Sequence, residues 1–295
     1  MNVLNETAVV WSAECRRTLR SARVLALLAL YSLFSLLVLL VVGGITRALR
    51  EQLDMQIAQA GADASAASQV TEEFSKGFLG FLVGGDQTVM EALAEVPLVV
   101  VVVFKATLFF LPIYVAIMGF DQVSGEVGPR SIRYLTVRAR RLSLLLGRFL
   151  SQATVLLGLV LIIDAGIFVY AWLTTPEFTL GSFAFNLLKF WLAAVVFSLS
   201  YLALTTLCSS LFRAPALSLI VNIFVLFGFW LVNLIGGFAA KDSPVAYVRY
   251  LSPSHYANGL LHPRLAEFAV SGMAYVFFTV LFLGGAIVIL RERDL

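Results

Sequence analysis

Three ionisable side chains, Lys105, Asp164 and Lys189, stand inside long apolar runs of this sequence. If those runs are helices that rise 1.5 Å per residue, all three side chains lie roughly 9–14 Å below the same end of the helices. A charge at that depth in an apolar medium costs several kcal/mol unless it is paired or hydrated. We therefore expect Asp164 to pair with Lys105 or Lys189. Such a pair would either line a polar pathway or bridge helices structurally.

Residues 122–143 form a strongly charged segment between two apolar runs. Gly128 and Pro129 end one helix, and Pro129 suits the first turn of the next. Ile132 and Leu135 would share one face of that second helix. The arginines of this segment are Arg130, Arg133, Arg138, Arg140 and Arg141. The pattern predicts a short helix with an exposed basic face, although a basic loop beside a membrane helix follows from topology alone.

Motifs that would give the chain a catalytic centre of its own are missing from the sequence. It contains no phosphate-binding G-x-x-x-x-G-K-[ST] loop, no H-E-x-x-H zinc motif and no G-x-S-x-G nucleophile turn. The two histidines, His255 and His262, have no carboxylate at ligand spacing, so we expect no metal site. Cys15 and Cys208 are expected to be reduced thiols near one membrane face. We therefore predict a protein that is not an enzyme and binds no cofactor directly.

Six apolar stretches, each long enough to cross a bilayer, take up most of the chain. About 20 mostly apolar residues cross a hydrocarbon layer of roughly 30 Å. The sequence is 60% hydrophobic and 13% charged, whereas a soluble domain is about half apolar and a quarter charged. All six should be helices, because a lone strand cannot satisfy its backbone in lipid. A single all-α transmembrane domain over residues 1–295 is predicted, with spans at residues 24–45, 97–120, 142–173, 183–211, 216–238 and 270–290.

Lysines and arginines near the ends of the spans are distributed unequally between the two faces. Thirteen stand on the face that carries both termini, and six stand on the other. Because basic residues favour the cytoplasmic side, both termini and the loop at residues 121–141 are predicted in the cytoplasm. Residues 46–96 and 239–269 then form outer loops. A multi-pass integral membrane protein is expected, without a nucleic-acid partner, since no basic and aromatic stripe stands apart from the membrane.

The first 23 residues are predicted to form an amphipathic helix. Leu4, Ala8, Trp11, Cys15 and Leu19 recur at helical spacing and make one face, and arginines make another. Such a helix lies in the membrane interface, and the alternative is a basic flank that only sets topology. The apolar run that follows is too long for the core of a signal peptide and lacks a cleavage site. It is therefore expected to remain as a membrane anchor.

The segment at residues 124–150 carries a resemblance to a known family. Its elements, in order, are Gly125-Glu126, residues 130–135, Arg140-Arg141 and residues 145–150. This order resembles the membrane subunit of ABC transporters of the ABC-2 type. In that family an acidic residue and a Gly-Thr-Leu element precede a leucine pair, a Pro-x-x-Arg and a Leu-Gly-Lys that enters the third span. Gly128-Pro129 stand here where Gly-Thr is usual, and Val137 and Arg138 replace the expected proline region.

The resemblance implies a complex of two permease subunits, either a homodimer or this chain with a homologous one, above two ABC ATPase subunits. Those ATPase subunits would bind ATP and Mg. The amphipathic helix and the helix around residues 126–135 would be the contact surfaces. The residues that the resemblance assigns to ATPase coupling are Glu14, Gly125, Glu126, Arg130, Arg133, Tyr134, Arg140 and Arg141. Closure of the ATPase dimer would tilt the spans and open the outer side.

The function that the resemblance implies is the permease subunit of an ATP-driven exporter in a bacterial cytoplasmic membrane. The alternatives are a complex that matures an extracytoplasmic enzyme or moves ions, and a membrane scaffold that transports nothing. An intramembrane enzyme is disfavoured, because the candidate base, His255, falls outside the predicted spans. Apolar spans rich in Phe and Leu favour a lipid, a peptide or a hydrophobic drug as substrate, although lipid-facing walls have the same composition.

Overall fold

The computed structural model describes residues 2–60, 77–80, 82–83, 85–94, 96–127, 139–174, 179–239 and 243–292. These segments are almost entirely helical, and no β-strand occurs in them. The α-helices are α1 (Val3–Leu19), α2 (Ala22–Ala60), α3 (Gln87–Leu93), α4 (Leu98–Gly119), α5 (Ser124–Val127), α6 (Arg141–Thr174), α7 (Leu180–Leu211), α8 (Pro215–Phe238) and α9 (Leu265–Glu292). Two 3₁₀ helices, η1 (Pro244–Leu251) and η2 (Pro253–Leu261), lie between α8 and α9.

Six helices in the described part of the chain are long and apolar enough to cross a membrane. Each satisfies its own backbone hydrogen bonds, which is the condition for crossing lipid. The all-α, six-span prediction is therefore confirmed. The spanning segments are Val24–Ile45, Leu98–Val127, Arg141–Thr174, Leu180–Leu211, Pro215–Phe238 and Leu265–Glu292.

The two longest described helices, α2 and α6, extend well beyond the length that a bilayer requires. α2 has 39 residues, which corresponds to about 58 Å at 1.5 Å per residue, while its apolar part ends at Ile45. It continues as a helix into residues 46–60, where the sequence predicted the start of a loop. α6 has 34 residues, and its first turns carry the buried polar side chains of Ser143, Arg148 and Ser151. These first turns pack against α1.

Helix α7 lies at the centre of the bundle and packs against α4, α6, α8 and α9. The ring of Phe190 on α7 is fully buried. Its centroid lies 4.6 Å from the ring of Phe104 on α4 and 5.8 Å from the ring of Phe168 on α6. On the same helix Ala193 and Ala194 are fully buried, and small side chains of this kind let neighbouring helices approach closely. These contacts make α4, α6 and α7 the packed core of the domain.

Helix α1 runs beside the first turns of α6 and in the same direction, because Glu6 contacts Ser143 and Cys15 contacts Ser151. We call the end of the bundle that carries α1 the α1 end, and the opposite end the far end. Gly147 on α6 permits this close approach, since a Cβ there would lie 2.6 Å from Cγ1 of Val10. The exposed residues of α1 include the apolar Leu4, Trp11 and Leu19 as well as the basic Arg16 and Arg17.

At the far end, η1 and η2 fold back between the helices. Ser252 donates through Oγ to the carbonyl of Phe229 on α8 at 2.9 Å. Tyr275 on α9 donates through its hydroxyl to the carbonyl of Pro253 at 2.7 Å. Tyr275 stands ten residues beyond the start of α9 at Leu265, about 15 Å along that helix. The segment between α8 and α9 therefore re-enters the bundle.

Candidate functional site

Arg148 of α6 is the centre of a charged cluster at the α1 end, and its side chain is only 9% exposed. Its Nε lies 3.2 Å from Oε1 of Glu14 on α1, and its Nη2 lies 3.3 Å from Oε1 of Glu126 on α5. Nη1 donates to the carbonyl of Gln122, in the turn between α4 and α5, at 2.8 Å. A guanidinium suits this position because its planar fork presents several donors at once. Arg148 thus fastens α1 and the α4–α5 turn to α6.

A second arginine, Arg17 of α1, contacts the same two carboxylates from the surface. Its Nη1 lies 3.4 Å from Oε1 of Glu126 and 3.9 Å from Oε1 of Glu14. We call these four residues the Arg148 cluster. Removing one partner of a buried ion pair costs about 3–5 kcal/mol, because an uncompensated charge is left behind. An exposed partner such as Arg17, whose side chain is 71% exposed, contributes much less.

Glu6 of α1 forms hydrogen bonds with residues at the start of α6. Its Oε2 accepts hydrogen bonds from Oγ of Ser143 at 3.1 Å and from the backbone N–H of Arg140 at 3.4 Å. The Arg140 guanidinium lies 3.9 Å from Oε1 of Glu6. A carboxylate at this position satisfies orphan amide groups and complements the positive end of the helix dipole. Glu6 and Glu14, eight residues apart on α1, therefore attach the helix to α6 at two points.

Arg141 joins the start of α6 to the end of α9. Its Nη1 donates to the backbone carbonyl of Leu290 at 2.9 Å and to that of Arg291 at 3.1 Å. The last carbonyls of a helix lack partners within the helix, and a cation near them is favourable. Arg141 therefore links α9 to the same end of the bundle as α1 and the Arg148 cluster.

A polar cavity of about 310 Å³ adjoins the Arg148 cluster. Its lining residues include Asp121, Gln122, Ser151 and Gln152, together with the four members of the cluster. Nε2 of Gln122, Oγ of Ser151 and Oε1 of Gln152 are buried and have no hydrogen-bond partner within the described protein. A polar cavity of this size with several unpaired donors and acceptors suits water molecules. The cluster thus borders a hydrophilic space inside the α1 end.

The structure brings together part of the predicted coupling set. Glu14 and Glu126 share one partner, Arg148, and Gly125 stands beside them in α5. Arg140 and Arg141 lie at the same end but make separate contacts, with Glu6 and with the end of α9. The three remaining residues of that set, which lie outside the described residues, are Arg130, Arg133 and Tyr134.

Three residues of the site were not among the predicted ones: Glu6, Arg17 and Arg148. Arg148 carried a signal in the sequence, because it interrupts the leucine-rich residues 144–150, where a lone cation needs a partner. Glu6 and Glu14 carried a weaker signal, since a spacing of eight puts both on one side of a helix. Arg17 resembled the neighbouring basic residues that set membrane topology.

The predicted ion pair of Asp164 with Lys105 or Lys189 is wrong. No ion pair of Asp164 exists among the described residues. Nζ of Lys105 instead donates to Oδ1 of Asn258 on η2 at 2.5 Å. The three residues stand at similar depths, but depth does not fix the direction in which a side chain leaves its helix. Asn258 belongs to the predicted outer loop at residues 239–269, and in the structure it lies on η2 close enough to accept the hydrogen bond of Lys105.

Tyrosine and histidine rings of η1 and η2 pack against one another at the far end. The ring centroid of His255 lies 4.7 Å from that of Tyr250 and 5.1 Å from that of Tyr256. The guanidinium of Arg249 lies 5.4 Å from the centroid of Tyr250, a distance typical of a cation–π contact. Burial lowers the pKa of His255, and the positive charge of Arg249 lowers it further. No group of three His, Cys, Asp or Glu side chains that could hold a metal ion was found among the described residues.

Comparison with known proteins gives one family match. A family model described as "ABC-2 family transporter protein" matches residues 8–292. The matched segment includes all six spanning helices and the whole Arg148 cluster. A search of curated proteins gave no match.

Proposed function

Because this chain belongs to the ABC-2 family of transporter proteins, we propose that it forms the translocation pathway of an exporter driven by a separate ATPase chain. It is a multi-pass membrane permease, and the family implies an ABC ATPase partner. In the proposed complex, two permease subunits, identical or homologous, stand on two ATPase subunits that bind ATP and Mg. The α1 end faces the cytoplasm of a bacterium, since basic residues concentrate there.

The observation that carries this proposal is the position of Arg148 between two elements at the α1 end. Glu126 ends the second spanning segment, Glu14 belongs to α1, and both carboxylates contact the same guanidinium. Arg148 itself stands on α6, one of the helices of the packed core. A force applied to α5 or α1 would therefore act directly on a core helix. These contacts suit a permease subunit whose helices are moved by a partner that binds on one side of the membrane.

In the proposed cycle, nucleotide-driven closure of the ATPase dimer displaces the segment at residues 128–138. α1, α5 and α6 move with it, because the Arg148 cluster holds them together. The contact of Arg141 with the end of α9 extends the movement to a third spanning helix. The two arrangements of these helices are the two states of the transporter, and nucleotide shifts their populations.

The charged residues divide into two roles in this proposal. Glu14 and Glu126 are mostly buried and transmit movement within the permease, since their carboxylates are paired inside the chain. Docking of the ATPase falls to exposed basic residues, among them Arg17 and Arg140, whose side chains are 71% and 62% exposed. Arg130, Arg133 and Tyr134 belong to the docking surface through the family resemblance. Acidic residues on the ATPase would complement this surface.

The test of the proposed function is co-purification of the full-length permease with the ATPase encoded beside it. We expect the ATPase to be recovered with the wild-type permease from mild detergent. Arg133→Ala should lower that recovery about tenfold, equivalent to about 1.4 kcal/mol of binding free energy. Arg213→Ala is the matched control, because Arg213 is exposed between α7 and α8 but lies outside the proposed surface. Absence of any ATPase from the wild-type sample, or equal losses in both variants, would contradict the proposal.

A further inference from the structure

Asp164 of α6 is buried inside the bundle without a counter-ion among the described residues. The residue is 4% exposed and stands ten residues before the end of α6 at Thr174, about 15 Å along the helix. Its Oδ2 atom is buried and has no hydrogen-bond partner. The packed core of the bundle contains apolar neighbours of Asp164 on α6, such as Val160, Ile167 and Phe168.

Polar groups of two other helices stand near Asp164. The hydroxyl of Tyr31 on α2 donates to Oγ1 of Thr107 on α4 at 3.0 Å, and both residues are buried. Asp164 lies close enough to Tyr31 for an electrostatic interaction. The ring of Tyr31 packs at 5.8 Å from that of Tyr114 on α4. Asp164 therefore belongs to a small polar site where α2, α4 and α6 meet.

Titratable groups on the helices around α6 do not neutralise a carboxylate at this position. Lys105 of α4 is bound to Asn258, and Lys189 of α7 forms no ion pair among the described residues. The charged groups of α1 contact α6 at Arg148 and before, sixteen residues from Asp164, or about 24 Å. The remaining titratable groups in the middle of α2, α4, α7 and α9 are the tyrosines Tyr31, Tyr114, Tyr201 and Tyr275 and the thiol of Cys208. The other charged residues of these helices stand toward the helix ends, before Val24 or after Ile45 on α2 and at Glu267, Arg291 and Glu292 on α9. None of the described ones forms an ion pair with Asp164.

An isolated carboxylate in such surroundings takes up a proton, because the neutral acid is far cheaper to bury than the ion. A metal ion or an organic cation has no room beside Oδ2, since that atom is enclosed by protein. We propose that Asp164 is an intramembrane proton-binding site, occupied when α2 is packed against α4 and α6. This proposal does not rest on the ATPase partner or on the direction of transport.

Helix α2 is a suitable gate for this site. Its spanning part is mostly exposed, and the buried side chains among those that the structure describes there, Val24, Tyr31, Ser35 and Val42, lie on one stripe. A narrow contact of this kind separates at a smaller cost than a broad one, because less apolar area is exposed. When α2 moves away, water reaches Asp164, the O–H bond of the acid breaks and the proton passes to water. When α2 returns, the carboxylate must take up a proton again.

Infrared spectroscopy of the full-length chain in lipid nanodiscs at pH 7 tests whether the proton is bound. We expect the carbonyl stretching band of a protonated carboxylic acid, and we expect Asp164→Asn to remove it. Asp164→Glu should keep the band at a shifted frequency. This variant replaces Asp164→Asn as the test if the asparagine variant does not fold. Lys105→Gln is the control and should leave the band unchanged. Absence of the band from the wild type, or its persistence in Asp164→Asn, would overturn the proposal.

Transfer of the same sample into D₂O tests the gate, since exchange of the acid proton shifts the carbonyl band. Tyr31→Ala removes the side chain that joins α2 to α4, and it should speed the exchange about tenfold. Leu33→Ala changes an exposed residue of α2, with 62% of its surface accessible, and should exchange at the wild-type rate. Equal exchange rates in Tyr31→Ala and the wild type would refute the role of α2 as the gate.

Discussion

Arg148 and Glu126 lie 3.3 Å apart, one on α6 and the other on α5. Residues 128–140 connect these two helices and include Arg130, Arg133 and Tyr134, to which the family resemblance assigns contact with an ATPase. The ion pair therefore fastens the two ends of that connection together. A displacement of the connection cannot move α5 without also moving α6, unless the ion pair breaks. In the proposed function, this ion pair would transmit movement from a docked ATPase to the packed core.

Close packing of α1 on α6 depends on the absence of a side chain at Gly147. In Gly147→Ala the new Cβ would meet Cγ1 of Val10 at 2.6 Å and the backbone oxygen of Thr7 at 3.2 Å. Overpacking of this kind costs about 1–3 kcal/mol, so α1 should separate from α6. Gly158→Ala, on the same helix, has nothing within 4 Å of its new Cβ and is the control.

Limited trypsin digestion measures this separation through cleavage at the arginines of α1. We expect Gly147→Ala to be cleaved there several times faster than the wild type, and Gly158→Ala at the wild-type rate. The same rate in all three proteins would show that α1 does not need the glycine contact.

The re-entrant segment at the far end should depend in the same way on Gly236 of α8. A Cβ at Gly236 would lie 2.7 Å from Cβ of Arg249 and 3.2 Å from its backbone nitrogen, whereas one at Gly237 meets nothing within 4 Å. We expect Gly236→Ala to lower the thermal midpoint of the protein in nanodiscs. Gly237→Ala should keep or raise it, because alanine favours a helix over glycine by up to about 1 kcal/mol. A lower midpoint for Gly237→Ala alone would contradict the packing of η1 on α8.

A buried hydrogen bond joins α8 to α7. Nδ2 of Asn222 donates to Oγ1 of Thr205 at 2.9 Å, and both residues are buried. A double-mutant cycle with Asn222→Ala and Thr205→Val should give a coupling free energy of about 0.6 kcal/mol, the usual value for such bonds between membrane helices. Equilibrium unfolding in mixed micelles measures it. Additive effects of the two substitutions would show that the hydrogen bond does not stabilise α8.

The fold could be predicted from the sequence because a lipid bilayer allows few backbone structures. Apolar runs such as residues 216–238 must be helices in lipid, and the observed α8, Pro215–Phe238, begins one residue earlier. The amphipathic pattern also predicted a helix up to residue 23, and the observed α1, Val3–Leu19, ends four residues earlier. The continuation of α2 to Ala60 was missed, because residues 46–60 lack the apolar character on which the prediction of spans relies.

Side-chain partners across helices could not be predicted in the same way. Hydropathy gives the depth of a residue in the membrane but not the direction in which its side chain leaves the helix. For this reason the sequence predicted an ion pair of Asp164 with a lysine that the structure does not show. The pairing of Glu14 with Arg148 depends on α1 running beside α6, a tertiary contact between residues 134 positions apart. A lone arginine at position 148 indicated that a partner exists, without indicating which acid it is.

ATP hydrolysis by the assembled complex, relative to the free ATPase, shows whether the Arg148 cluster transmits movement between the ATPase and the permease core. Arg148→Gln removes the charge that holds Glu14 and Glu126 to α6, and Arg148→Lys keeps the charge without the planar fork. Both variants should still co-purify with the ATPase, while the change in hydrolysis rate that the wild-type permease causes should fall at least about tenfold in Arg148→Gln and less in Arg148→Lys. Arg213→Gln should behave as the wild type. A wild-type response in a folded, ATPase-bound Arg148→Gln complex would contradict the account.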